Sequence, residues 1–511
     1  MSVDAAMSQS VQVLKETASC YDGMRVTCPP ETSEPQQRLT VDEPMVGTAK
    51  RSLRVRLAHR KWPLLMTVVF VAAGMGFMFG WLPIFRHQTG WDTGGDLWGI
   101  WRAAHYIGWG FLGGVYDPST GVNSLPGIEV VLAPFAMVSG HLRLTESFPP
   151  YMTAHPTAAL LLEPIELLLA STVLFAVDAL AEQLRVGKGR RISLCIVATV
   201  IAWPTVAIWG HAEVCLALTF AIYALIAALN GKWKACGWLF GFALLMQPLV
   251  VMMLPLVVAM SPTGQRVMVA LRAIVLSAVL AGVAFTSDAA DTYRSLVQQP
   301  TPPLINHATP WVSLAPRVTN PFSGASSYTS LTYRAGKFVQ DDMHAKARAV
   351  ILVSGGAGRA VEVILAALVG LYVWRRPQPP DRLIWLAAAL LGMRCMFEAV
   401  MVPYYLGPPL LLALAIASYQ GGKRFWAACV IALEITVFAY HNLSPWAWWL
   451  PVVVGMAAVL ALGYPERNRT GPEPPLASEP GDTAEVPAEE LSEREPASTK
   501  GDELRPRELI G

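Results

Sequence analysis

From Trp62 to Gly463 the chain carries a charged residue at only about one position in ten, where soluble domains have roughly one in four. The 511-residue sequence is 53% hydrophobic and 15% charged, and the charge is concentrated at the ends. Sixteen charged residues lie in 1–61 and 18 in 464–511. A middle section so poor in charge excludes a water-soluble globule. It points to a polytopic membrane protein, whose spanning pieces must be helices or a closed barrel because lipid cannot satisfy open backbone groups. Long apolar runs without strand alternation select helices. The expected fold is therefore an all-α bundle.

Runs long enough to span, about 17–25 residues, fall near 62–82, 157–181, 192–209, 212–230, 268–286, 349–374, 382–400, 403–419, 425–441 and 445–463. Two stretches are irregular. Residues 235–260 contain Gln247-Pro248 and Leu254-Pro255 and read as two short helices. Residues 124–140 form one short run that either crosses or re-enters. The total is 11 to 13 crossings.

Residues 1–61 and 464–511 are polar and rich in Ser, Pro and Glu or Ala. Both read as disordered cytoplasmic tails that bury too little apolar surface to fold alone. The first lacks an early apolar stretch, so no cleavable signal peptide is expected. Arg51, Arg54, Arg56, Arg60 and Lys61 precede the first span. Further basic clusters lie at 185–191, 232–234, Arg266, 375–376 and 423–424. All face the cytoplasm under the positive-inside rule. Residues 83–123 and 287–348, the two longest connections, then face outward. If 124–140 and 157–181 both crossed, the basic run at 185–191 would fall outside, so 124–140 is expected not to cross fully. The basic residues sit in short clusters between spans, which gives no sign of a nucleic-acid partner. The seven cysteines show no metal-ligand spacing and read as small buried hydrophobes.

The first outward loop contains Asp96 just before Leu97-Trp98-Gly99-Ile100-Trp101-Arg102. Apolar residues recur there at 97, 100, 101 and 104, which is helical spacing, and the helix would lie at the membrane surface. Asp96 has two compatible readings. It can cap the helix by accepting backbone N–H bonds, and a carboxylate held at an interface can act as general base. Asp92 reads as a turn residue. Trp209-Gly210-His211-Ala212-Glu213 sits at the outer end of a span. His211 and Glu213 either line a pocket rim or bridge helices. Two residues apart, they reach different partners unless the helix begins after them.

Arg394 lies inside an apolar run, with Glu398 at i+4 and Tyr404-Tyr405 following. An ionisable group at such depth is a functional candidate by default. It either pairs with Glu398 or grips a phosphate through its planar fork. The second outward loop carries His307 and Trp311, residue types suited to stacking on and hydrogen-bonding sugars. Gly355-Gly356-Ala357-Gly358 opens an apolar helix with no preceding strand, so it is not a phosphate loop. No Walker motif, Rossmann fingerprint or His-rich metal site is present. No cofactor is implied, and a metal requirement is not legible.

These motifs, in order, resemble the GT-C glycosyltransferases. The Asp-Leu before an aromatic-rich helix, the Gly113-Gly114-Val115-Tyr116-Asp117 turn and the Pro-containing run to Phe135 are similar to glycosyltransferase family 87 and related actinobacterial mannosyl- and arabinofuranosyltransferases. His155-Pro156 or Leu125-Pro126-Gly127 stands where that family has Tyr-Pro-Pro. Gly210-His211-Ala212-Glu213 and Gln247-Pro248 resemble its Gly-His-Pro-Glu and Lys-Pro elements. The resemblance implies a GT-C-like bundle in the plasma membrane with its active face extracytoplasmic. It implies a polyprenyl-phosphate sugar as donor, mannose before arabinofuranose, and an envelope glycolipid or glycan as acceptor. Asp96 would be the base. Arg394, Tyr404 and Tyr405 would hold the donor phosphate, and Arg102, His211, Glu213, His307 and Trp311 would line the sugar or acceptor site. The alternatives are a transporter or flippase of a lipid-linked precursor, and a non-catalytic scaffold.

Overall fold

The computed structural model describes residues 60–78, 96–118, 120–142, 144, 158–303, 306–319, 329–334, 337–342, 351–441 and 443–466. The chain is mostly helical. Helices α1 (Lys61–Gly76), α2 (Leu97–Gly108), α3 (Gly127–His141), α4 (Ala159–Gln183), α5 (Lys188–Ala207), α6 (Ala212–Leu229) and α7 (Trp233–Met246) form the first half. Helices α8 (Leu254–Met260), α9 (Arg266–Ser287), α10 (Ala289–Tyr293), α11 (Gly356–Arg375), α12 (Pro380–Phe397), α13 (Gly407–Gln420), α14 (Gly422–Phe438) and α15 (Pro445–Gly463) complete it. Among the described residues, six stretches are long and apolar enough to cross a membrane: α4, α5, α6, α11, α15 and Thr263–Ser287, which contains α9.

The packing follows from where apolar residues are used. Helices α4 and α6 are lined inward by Leu, Ala and Val with no solvent access, among them Leu167, Leu174, Ala221 and Leu225. Small residues let backbones approach closely, as membrane helices require. Helix α6 packs between α4 and α7, and α7 packs on α9. Helix α9 instead exposes Val267 (69%) and Leu271 and Val279 (57% each). Large apolar side chains on an outer flank are what a lipid-facing surface requires.

Three expectations are refined. The stretch at 235–260 is α7, a 3₁₀ segment at Pro248–Met253 and then α8. Pro248 lacks a donor and disfavours helical backbone at Gln247, whose φ is −146° and ψ 110°. Helix α3 has 15 residues, about 22 Å at 1.5 Å per residue, which is shorter than the roughly 30 Å hydrocarbon core. The bundle is also not purely helical. Among the described residues there are three two-stranded antiparallel ribbons. β1 (His307–Ala308) pairs with β6 (Val400–Met401), β2 (Arg317–Val318) with β5 (Leu352–Val353), and β3 (Thr329–Arg334) with β4 (Lys337–Asp342). The first two tie the second long loop to the segments flanking α11 and α12. No period-2 pattern announces strands of two residues.

Candidate functional site

A cavity of about 430 Å³ lies at the end of the bundle where α5 passes into α6. Its walls come from distant parts of the chain. Asp96 enters from the start of α2, Glu129 from α3, and His211 and Glu213 from the α5–α6 turn. Gln247 comes from the α7 break and Arg294 from the end of α10. Arg359 enters from α11, Arg394 from α12, and Tyr404 and Tyr405 from the turn before α13. Residues 299–302, Asn306, Leu352 and Val402 close one side, held there by the ribbons.

Asp96 is where the local sequence and the tertiary contact part company. It begins α2, yet its side chain makes no capping bond. The carboxylate instead faces His211, with Oδ2 3.1 Å from Nε2. Its own backbone N–H donates to the Trp209 carbonyl at 3.1 Å. That approach depends on Gly210, whose φ is +79°; a Cβ there would sit 2.7 Å from Leu97 Cγ. Glycine supplies both the left-handed turn and the space.

Helix α6 begins at Ala212, so His211 precedes it with φ −107° and ψ 66°. The helical-face argument therefore does not apply, and His211 Nδ1 meets Glu213 Oε1 at 2.5 Å. The imidazole sits between two carboxylates and also packs 4.1 Å from the Tyr404 ring. Burial disfavours its charged form. The Glu213 charge and hydrogen bonds to Asp96 and Glu213 outweigh that and hold it well above the ordinary histidine range. Asp96 is 62% exposed at its side chain, against 4% for Glu213. One carboxylate is thus open to the cavity while the other fixes the ring from behind. Glu213 Oε2 and Glu129 Oε2 are both buried without a protein partner.

The cavity lining also holds three guanidinium groups. Arg394 is 8% exposed, lies 3.8 Å above the Tyr405 ring, and has Nε 3.4 Å from Glu398 Oε2. That contact is an ion pair without hydrogen-bond geometry, so Nε remains unsatisfied by protein. The stronger partner of Glu398 is Arg359, whose Nε donates to both carboxylate oxygens at 3.0 and 3.3 Å. Gly358 makes that meeting possible, since a Cβ there would lie 1.8 Å from the Phe397 carbonyl oxygen. Arg294 also lines the cavity and donates to the Tyr116 carbonyl at 2.9 Å.

Asp96, His211, Glu213, Arg394, Tyr404 and Tyr405 are thus brought together. Arg102, His307 and Trp311 are not among the cavity's lining residues. His307 stacks on Trp448 at 4.1 Å with rings 5° apart. Trp311 donates its indole N–H to the Met396 carbonyl at 2.8 Å. Asp92 lies outside the described residues. Sequence reasoning missed Glu129, Arg294 and Arg359. The available signal for Arg359 was a guanidinium in the first turn of an apolar helix, directly after the glycine run. No group of three His, Cys, Asp or Glu side chains suited to a metal occurs among the described residues. Neither known family models, nor curated proteins, nor solved structures match this chain.

Proposed function

We propose that the protein is a GT-C-type glycosyltransferase that moves a sugar from a polyprenyl-phosphate donor to a glycolipid or glycan acceptor. The observation that carries this reading is the mixed polarity of this cavity, whose lining includes the Asp96–His211–Glu213 group together with the guanidinium groups of Arg294, Arg359 and Arg394. Displacement at an anomeric carbon needs a base on the acceptor side and cations on the leaving-phosphate side. An apolar pocket adjoins the cavity at Arg394 and Tyr405 and continues between Ala217, Leu249, Leu391 and Pro409. At about 30 Å³ the pocket would have to widen to admit an isoprenoid chain whose phosphate sits beside Arg394.

In the reaction, the acceptor oxygen forms a bond to the anomeric carbon as the carbon–oxygen bond to phosphate breaks. Asp96 takes the acceptor proton. The guanidinium of Arg394 offsets charge on the departing phosphate. One displacement inverts the anomeric centre. Mannose is the first choice of sugar and arabinofuranose the second. The fuller topology in this proposal is 11 to 13 crossings in the plasma membrane with the cavity extracytoplasmic. The test is incubation of membranes with radiolabelled polyprenyl-phosphate mannose. Label should move to glycolipid or glycan, and the reading fails if neither the mannosyl nor the arabinofuranosyl donor is consumed by folded protein.

One observation favours a second reading, a proton-coupled transporter of a lipid-linked precursor. Glu163 and Glu166 of α4 are completely buried. Trp101 Nε1 donates to Glu166 Oε1 at 2.9 Å, while both oxygens of Glu163 lack partners. Buried carboxylates of this kind serve proton relays. Uptake of a labelled precursor driven by a pH gradient, without sugar transfer, would favour it.

A further inference from the structure

A second cavity, of about 330 Å³, is lined by Lys61, Trp62, Pro63, Asp178, Lys188, Arg191 and Ile192. It lies between the starts of α1 and α5 and the last turns of α4. Helix α5 has 20 residues and leads from this cavity to the turn that carries His211. At 1.5 Å per residue the two cavities are about 30 Å apart, on opposite ends of the bundle.

The charges here do not cancel. Arg191 grips Asp178 with two bonds of 2.8 Å, and Arg60 pairs with both Asp178 and Glu182. This cluster is internally neutral and joins α1, α4 and α5. Lys61 and Lys188 remain, with no carboxylate in salt-bridge range among the described residues. Each is the first residue of its helix. That is the wrong end for a cation, because the helix dipole is positive there. Neither helix has an acidic residue in its first turn or a side-chain cap. Two helix starts and two lysines therefore converge on one cavity whose single lining carboxylate, Asp178, is already held by Arg191 and Arg60. The Trp62 indole N–H is also buried without a partner.

The surfaces beside the cavity are apolar. One turn deeper, α1 exposes Leu64 (43%), Leu65 (47%) and Val68 (60%), and α5 exposes Ile196 (47%) and Val200 (48%). Ile192, Ile196 and Val200 recur at i+4 and so form a continuous apolar strip running away from the cavity. We propose that this cavity binds the phosphate of an anionic phospholipid, whose acyl chains lie along the strip formed by α1 and α5. The phosphate accepts hydrogen bonds from Lys61, Lys188 and the free backbone N–H groups of the two helix starts. The bound lipid holds α1 against α5 without touching the catalytic cavity.

The experiment uses the purified full-length protein in detergent, followed by thermal unfolding and native mass spectrometry. Phosphatidylglycerol is expected to raise Tm and to appear as a bound adduct, whereas phosphatidylcholine should do neither. In Lys61→Gln, Lys188→Gln and the double variant, phosphatidylglycerol affinity should fall, by about tenfold or more in the double. Lys234→Gln, at the start of α7, should match wild type. Each variant is first shown by gel filtration to be folded. Equal responses to the two lipids, or undiminished phosphatidylglycerol binding in the folded double variant, would overturn the proposal. So would a full Tm shift from millimolar inorganic phosphate alone, which would assign the cavity to a soluble phosphate ester instead.

Discussion

Asp96 and His211 are 115 residues apart in sequence and meet at the edge of the cavity, 3.1 Å apart. Their contact makes a residue that begins a helix part of the cavity lining. It also ties the first long loop to the α5–α6 turn, so the carboxylate has a fixed position without a capping role.

Asp96→Asn follows directly from this geometry. The side chain makes no cap bond and is 62% exposed where it pairs with His211, so the change should cost no more than about 1 kcal/mol. Sugar transfer should fall by about two to four orders of magnitude, the usual worth of a general base. Donor binding should survive, because in the proposed reaction the carboxylate acts on the acceptor. Transfer at the wild-type rate would remove Asp96 from the chemistry.

Arg394→Lys separates phosphate binding from helix pairing. Arg359 already satisfies Glu398 with two contacts, so Lys at 394 should not orphan that carboxylate. A point charge lacks the planar fork and its stacking on Tyr405. Transfer should therefore drop at least tenfold in Lys and further in Ala, with donor KM rising. Full activity in a folded Arg394→Lys protein would make the guanidinium structural.

His211 gives a pH prediction. It lies between the spanning helices α5 and α6, and its folded pKa is raised above the unfolded value, about 6.5. A raised folded pKa contributes stability that is fully present below the unfolded value and is lost as pH rises through the folded value. The Tm gap between wild type and His211→Gln should thus be largest near pH 6 and should narrow as the solution becomes alkaline. A gap that widened with pH would mean that the ring is neutral between its two carboxylates.

Topology is open to direct labelling. The five cysteines described, Cys195, Cys215, Cys236, Cys395 and Cys429, are all buried. With Cys20 and Cys28 replaced by Ser, a Ser330→Cys variant should react with an impermeant maleimide in intact cells. Reaction only after lysis would reverse the orientation and place the Asp96 cavity on the cytoplasmic side.

Much of the fold was legible because lipid imposes a simple rule on sequence. Apolar runs predicted most helices, from α4 at Ala159–Gln183 to α15 at Pro445–Gly463. The Gln247-Pro248 break was legible as well, since proline removes a donor wherever it stands. Asp96, His211, Glu213 and Arg394 could be singled out because polar groups near apolar runs are costly and therefore informative.

What the sequence alone determined was a helical membrane protein with a few polar residues to watch. Only the tertiary structure decided which of them meet. It placed Asp96 against His211, turned Glu213 toward the same ring and gave Glu398 to Arg359 as well as Arg394. It sent His307 to Trp448 and Trp311 to the Met396 carbonyl instead of into the cavity. The reason is range. Hydropathy and helix periodicity are set by neighbours within a few residues, whereas these pairings depend on close backbone approaches such as those at Gly210 and Gly358, made between segments far apart in the chain.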